Sequence, residues 1–187
     1  MVAIDQELEW IERSRQGDHA AYENLVRNQQ QMIHAIAYRM TGSMADAQDL
    51  ARETFIRAFQ QLGSFRGEAK FSSWLCRVAI NATLNWRERE RRRTEVHQQW
   101  TADQDQAAAT TGVDGELDES SSRVQASLDR LPAKQRAAMV LTVFQEMSQA
   151  EAARALGCSE ATVAWRVFAA RGKLRRWLRP DRKEEPT

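Results

Sequence analysis

Ser148-Gln-Ala-Glu-Ala-Ala-Arg-Ala-Leu-Gly-Cys-Ser159-Glu-Ala-Thr-Val-Ala-Trp-Arg-Val-Phe168 is the stretch whose reading decides the fold. Ser148 with Glu151 three residues later is the spacing of a capping box, which opens a short helix ending at Leu156. Gly157 suits the left-handed turn that stops it. Ser159 then caps a longer helix through about Leu178. Ala152, Ala153, Leu156, Val163, Val167 and Ala170 supply small or branched apolar residues where two crossing helices meet. A short helix, a tight turn with glycine and a longer basic helix make a helix-turn-helix. The second helix and the residues after it carry Arg166, Arg171, Lys173, Arg175, Arg176 and Arg179, a cation row suited to phosphates. The same pattern fits a helical hairpin with a solvated basic face; caps, turn and charge together favour the DNA-binding unit.

Working outward, one helix precedes Leu131-Pro132 and another spans roughly Ala133 to Gln145. Before them, residues 94–128 hold one basic residue and seven acidic ones, net −6, with Ala107-Ala108-Ala109-Thr110-Thr111-Gly112 and Ser120-Ser121-Ser122 and few large apolar residues. Such a segment buries too little surface to offset its ordering entropy and reads as a linker. Residues 1–93 hold 14 basic and 12 acidic residues (net +2), and residues 129–187 hold 12 and seven (net +5). Two mildly basic units therefore flank an acidic one.

The first unit is helical as well. Asp18 caps a helix to about Met40 whose stripe is Leu25, Met32, Ile33, Ile36 and Met40; Thr41-Gly42 ends it. Ser43-Met44-Ala45-Asp46 opens a second helix to about Leu62. After a glycine-containing loop from Gly63 to Lys70, a third begins near Ser72, turns Trp74, Leu75, Val78 and Ala82 inward, and runs into Arg87, Arg89, Arg91, Arg92 and Arg93. No convincing period-two strand occurs. The expectation is an all-α chain of two small helical domains, 1–93 and 126–180, joined by a flexible acidic linker, 94–125, with a tail at 181–187.

Composition narrows the function. Of 187 residues, 42% are hydrophobic and 28% charged, a globular mixture, and no apolar run is long enough to span a bilayer. Met1 to Gln16 is too charged for a secretory signal, so a cytoplasmic location without membrane insertion is expected. Two cysteines, Cys76 and Cys158, and three scattered histidines, His19, His34 and His97, argue against a disulfide framework or a metal enzyme. The thiols read as buried or incidental. Phe65, Arg66, Lys70, Phe71 and Trp74 place aromatics beside cations, an arrangement that can hold unstacked bases. The competing reading is core packing, expected for Trp74 and in part for Phe71. Asp46, Asp49 and Glu53 share one helix face. They could hold Mg2+ in a recombinase, although nothing completes such a site; a surface for a basic protein partner fits better.

Three stretches in this order resemble the sigma-70 family of bacterial transcription initiation factors, closest to its extracytoplasmic-function group. Asp46-Ala-Gln-Asp-Leu-Ala-Arg-Glu-Thr-Phe55 is similar to the family's Asp-Ala-Glu-Asp-Leu-x-Gln-Glu-x-Phe. Phe65-Arg-Gly-Glu-Ala-Lys-Phe-Ser-Ser-Trp-Leu75 with Val78-Ala-Ile-Asn81 matches Phe-x5-Phe-x-x-Trp-Leu-x-x-Ile-Ala-x-Asn. Leu131-Pro-Ala-Lys-Gln-Arg136, Ala150-Glu-Ala-Ala153 and Ala161-Thr-Val163 match Leu-Pro-x-x-x-Arg, Glu-Ile-Ala and Gly-Thr-Val. The likeness covers about residues 15–178.

The resemblance implies a non-enzymatic factor without cofactor. Asp46, Asp49, Leu50, Glu53 and Phe55 would dock on the clamp of the largest RNA polymerase subunit. Phe65, Arg66, Lys70, Phe71, Ser72, Asn81, Asn85, Arg87 and Arg89 would read and open the −10 element. Ser159, Thr162, Ala164, Trp165, Arg166, Phe168, Arg171 and Lys173 would read the −35 element. The flap of the second-largest subunit would take the apolar side of Leu131 to Gln145, the linker would thread the polymerase channel, and an anti-sigma factor would regulate the whole. Departures are Gln48, Arg52 and Asn85 in the first unit, and Ala164, Trp165 and Ala169 in the recognition helix, where the family favours Lys or Arg, Ser, and Arg. Ala offers guanine no donor; Trp165 can pack on a sugar or thymine methyl, or bind a protein. Competing classes are a helix-turn-helix repressor or activator, which would bind duplex DNA tightly unaided, and the Mg2+-dependent recombinase, which would cut it.

Overall fold

The structure, a computed structural model, describes residues 4–101 and 119–178. Helices are its only regular elements among the described residues: α1 (Ile4–Arg15), α2 (His19–Thr41), α3 (Met44–Gln61), α4 (Phe71–Thr101), α5 (Glu119–Asp129), α6 (Ala133–Met139), α7 (Gln149–Leu156) and α8 (Glu160–Trp177), with a 3-10 turn at Leu62–Ser64 and a π turn at Val140–Phe144. The helix ends follow from local chemistry. Asp18 Oδ1 accepts from the Ala21 N–H (3.1 Å), and Gly42, at φ +79°, closes α2 by donating to the Tyr38 carbonyl (2.8 Å). Ser43 caps α3 through the forward bond of a capping box, accepting from the Asp46 N–H (3.3 Å).

Three elements differ from the sequence expectations. Helix α1 was not anticipated; Ile4, Leu8, Trp10 and Ile11 are its few large apolar residues, and it is held by buried Ile11 and by Arg15, which donates to the Leu62 and Phe65 carbonyls. Helix α4 runs eight residues past 93, because Arg91 pairs with Glu88 and Glu95, Arg92 with Glu88, and Arg93 with Glu90. Such i,i+3 and i,i+4 pairs favour helix over coil. The expected linker 94–125 thus begins inside α4 and ends inside α5, and its centre, 102–118, lies outside the described residues, as do Arg179 and the tail at 181–187. The helix expected from Ala133 to Gln145 widens at its end, where Gln145 N–H bonds to the Val140 carbonyl five residues back.

Helices α1–α4 form one unit and α5–α8 the other, and an apolar core is continuous between them. Leu25, Ile33, Ile36, Leu75 and Ile80 belong to the same cluster as Ala137, Val140, Leu141, Ala152 and Val163. A second cluster, Leu128, Leu131, Met139 and Ala170, closes the α5–α8 unit. Between the units lies a polar junction at the C-terminal end of α2. The Met40 carbonyl accepts from Arg87 Nη1 and from Arg136 Nη1, both at 2.9 Å. Arg136 is 1% exposed and also donates to Asp129 Oδ1 (2.6 Å), while Asp129 receives Gln125 Nε2 (3.1 Å). Two cations at the carbonyl end of a helix meet the negative pole of its dipole. A Cβ on Gly42 would stand 2.6 Å from Asp129 Oδ2, so glycine there is also a condition of the close approach.

Candidate nucleic-acid and protein interfaces

The helix-turn-helix forms as the sequence requires. Ser148 Oγ accepts from the Glu151 N–H (3.2 Å) and the Glu151 carboxylate accepts from the Ser148 N–H (3.0 Å), a complete capping box. The Ser148 hydroxyl also donates to the Glu151 carboxylate (2.8 Å), and this bond, with that from the Ser148 N–H, holds the carboxyl below its ordinary range. Gly157 at φ +61° turns the chain into α8, where Ser159 Oγ receives the Thr162 N–H (3.2 Å). Val163 and Ala170 are buried against α6 and α7. The outward stripe of α8 is Ala161, Trp165, Phe168, Arg171, Gly172 and Arg175, all exposed. Ser159 and Thr162 bond to one another through their hydroxyls (2.9 Å). Arg166 donates to Cys158 Sγ (3.4 Å) and Lys173 Nζ to Gln135 Oε1 (3.1 Å), bonds that steer both side chains without pairing either to an acid.

In the first unit, Arg66 and Lys70 are exposed in the loop before α4, and Asn81 and Asn85 are exposed one turn apart on α4. Arg77, four residues before Asn81 and exposed on the same face, completes this row. Sequence reasoning passed over Arg77, although its spacing to Asn81 and Asn85 was there to be read. The aromatic cluster packs differently from expectation. Phe65 and Phe71 are buried and meet edge-on at 5.7 Å, whereas Trp74, 5.6 Å from each, is only half buried. Trp74, expected inside, thus reaches solvent; Phe65, expected to face bases, is core, and so is Phe71, for which core packing was expected in part. Ser72 is half buried at the start of α4. Arg87 is half buried and committed to the Met40 carbonyl, with burial lowering its pKa, so in this arrangement it is unavailable to a phosphate. Arg89 is exposed, 3.8 Å from Glu53. Arg57, Arg66, Trp74, Arg77 and Asn81 line a cleft together with Glu151, Arg154 and Ala155 of α7.

Of the residues expected to dock a protein, Asp49 is exposed beside Arg52 (3.5 Å), Asp46 is half buried, and Glu53 pairs with Arg57 and Arg89. Leu50 is buried against Ala37, Ala47 and Ala82. It can therefore support such a surface from beneath but not touch a partner. Phe55 lies on the other side of α3, in a groove of about 1430 Å3 between α2 and α3 that also includes His34, Tyr38, Ile56 and Phe144. The apolar side of Leu131 to Gln145 is spent internally: Leu131, Ala137, Ala138, Met139, Val140 and Leu141 are all buried, leaving Val143 exposed and Phe144 beneath Arg39 at 4.0 Å. In this arrangement that face is covered by the core between the two units and by the α5–α8 core, not open to a flap. Among the described residues no group of three or more His, Cys, Asp or Glu is placed to hold a metal, and no helix is long and apolar enough to cross a membrane. Cys76 is buried, its thiol pushed up to about 12 by desolvation; Cys158 is half buried.

Comparison with known proteins gives the same division. The sigma-70 region 2 family model matches residues 25–93 and the sigma-70 region 4 model residues 121–174. The chain is 30% identical to the RNA polymerase sigma-H factor of Pseudomonas aeruginosa over 96% of its length and 97% of that protein. It is 35% identical to the extracytoplasmic-function sigma factor SigM of Mycobacterium tuberculosis over 87% of its length and 79% of that protein. Among solved structures, CnrH in complex with the cytosolic domain of CnrY superposes with a TM-score of 0.66 at 27% identity, covering 92% of this chain and 97% of the other. With both family regions present in order and relatives matched along most of their length, the chain belongs to the sigma-70 family, in its extracytoplasmic-function group, and serves promoter-specific transcription initiation.

Proposed function

We propose that this chain binds core RNA polymerase through the exposed acidic face of α3, delivers it to promoters by placing α8 in the major groove of the −35 element, and stabilises an opened −10 element on the α4 surface. The observation that carries this reading is one chain holding two exposed, cation-bearing surfaces: a fully capped helix-turn-helix with a solvent-facing α8 stripe, and the Arg66, Lys70, Arg77, Asn81, Asn85 row on the other unit. Cations on both surfaces neutralise phosphates, which fixes position, while side chains at the groove floor and around unstacked bases provide selection. Taking a base out of the stack costs a few kcal/mol, to be offset by the loop before α4 and by Trp74.

Residues of α7 line the same cleft as the −10 surface, so capture of a strand there requires the α5–α8 unit to move away from α4. Parting would also withdraw Arg136 from the α2 terminus, leaving Arg87 as the donor to the Met40 carbonyl, and expose apolar surface of α6 to a polymerase flap. The chain itself makes and breaks no covalent bond; synthesis belongs to the polymerase. It works where the polymerase and DNA are, in the cytoplasm, without cofactor. An anti-sigma factor that holds the two units together is the expected regulator, in keeping with the partner-bound state in which CnrH was solved.

Run-off transcription with purified core polymerase on a pool of genomic fragments tests the proposal. Discrete starts that depend on this chain support it. Tight duplex binding without polymerase would indicate a repressor or activator, and strand cleavage by the chain alone a recombinase.

A further inference from the structure

The two most exposed large apolar side chains among the described residues are Phe168 (79%) and Trp165 (62%), and they stand three residues apart on the outward stripe of α8. The N-terminal half of that stripe, Ala161, Trp165 and Phe168, offers a single hydrogen-bond donor, the indole N–H, and no acceptor. The C-terminal half is cationic, with Arg171, Arg175 and Arg176 exposed. Ala164 beside Trp165 is half buried and adds no polar atom. The hydroxyls that could have supplemented it, Ser159 and Thr162, are bonded to each other and to the helix terminus. The polar side chains left at this end, exposed Glu160 in the first turn and Arg166 bonded to Cys158 Sγ, flank the stripe, whose own surface is apolar.

In the major groove, guanine, cytosine and adenine present only donors and acceptors at the base edge, whereas thymine adds a C5-methyl group. An apolar, nearly donor-free helix face laid on guanine or cytosine would strip water from their polar atoms and return nothing. Laid on thymine methyls it loses little and buries carbon on carbon. The charge pattern assigns the same occupant: cations continue the stripe where phosphates would follow the groove floor. Resting on the sigma-factor reading above, we infer that Trp165 and Phe168 make this chain a reader of thymine methyl groups, so that its −35 element carries adjacent thymines where a donor-bearing helix face would suit guanine.

The test uses holoenzyme assembled from the full chain and core polymerase, and a duplex library randomised across the −35 region. The selected sequences should carry at least two thymines under the α8 footprint. Replacing each by deoxyuridine keeps every donor and acceptor and deletes only the methyl. Each replacement at a contacted position should weaken binding about fourfold, the value of burying one methyl. Trp165→Ala, at an exposed position that leaves the fold intact, should lose this preference for thymine over uracil at its contact. Arg171→Ala should weaken binding to both duplexes equally and leave the ratio unchanged. Selected sites without thymine under the footprint, or equal affinity for thymine and uracil duplexes, overturn the inference while leaving the sigma-factor reading standing. A holoenzyme that selects no −35 sequence at all overturns both.

Discussion

Asp129→Ala should destabilise this protein more than Arg136→Met, although the two residues form one ion pair. The asymmetry follows from burial. Arg136 is 1% exposed, and two of its nitrogens, Nε and Nη2, already lack partners; burial and the nearby Arg87 lower its pKa to about 10 against the pull of Asp129. Removing Asp129 leaves this guanidinium buried with the Met40 carbonyl alone and with Arg87 uncompensated, a change in the range of about 3–5 kcal/mol. Removing Arg136 has milder consequences. The Met40 carbonyl keeps its bond from Arg87 (2.9 Å), the Asp129 side chain is 39% exposed and can hydrate, and two unpaired buried nitrogens disappear. Methionine fills most of the volume, so the loss should be roughly 1–2 kcal/mol. The double variant should resemble Arg136→Met alone, a strong departure from additivity. Urea unfolding of the purified chain, followed by the fluorescence of its six tryptophans, measures all three. Equal losses, or a larger one for Arg136→Met, would refute the reasoning about which partner is stranded.

Other outcomes follow from the same geometry. Ser148→Ala removes both the acceptor for the Glu151 N–H and the bond that depresses the Glu151 carboxyl, and should cost about 1 kcal/mol in urea melts at neutral pH. A carboxyl lowered in the folded state stabilises above its unfolded pKa and loses that contribution as pH falls through the folded one, so the gap between variant and parent should narrow on acidification in the carboxylate range. A thiol reagent added to the native chain should label Cys158 and spare Cys76 until urea is added, mass spectrometry of peptides distinguishing the two; rapid native labelling of Cys76 would contradict its burial. Asp49→Arg reverses an exposed charge on α3 and should lower core-polymerase affinity in a pull-down while leaving free-DNA binding within about twofold, as surface substitutions rarely unfold a domain.

What could be read from the sequence was what local chemistry determines. Asp18, Ser43, Ser148 and Ser159 each cap the helix expected of them, and Gly42 and Gly157 adopt the left-handed turns that end α2 and α7. The apolar stripe of α2 is buried except for Met32, which is half buried. What escaped depends on partners distant in sequence. The resemblance placed Leu50 among the contact residues, but Ala82 from α4 covers it. Phe65, Phe71 and Trp74 carry the same pattern, and only the packing of α4 decides which ring is left half open. Arg87 was expected on the −10 DNA and Arg136 was read only as a motif residue; both are drawn inward by a carbonyl 47 residues from the one and 96 from the other. The end of α4 was lost to the linker because its charges were counted as composition, when their spacing pairs them along a helix.

The central claim is that the chain supplies promoter address and strand opening to a polymerase that lacks both. Permanganate footprinting on a promoter taken from the transcription pool tests it most directly, since the reagent oxidises only unstacked thymines. Core polymerase plus this chain should produce a short block of reactive thymines around −10, with neither component sufficient alone. A pattern identical with and without the chain, or one produced by the chain without polymerase, would contradict the account.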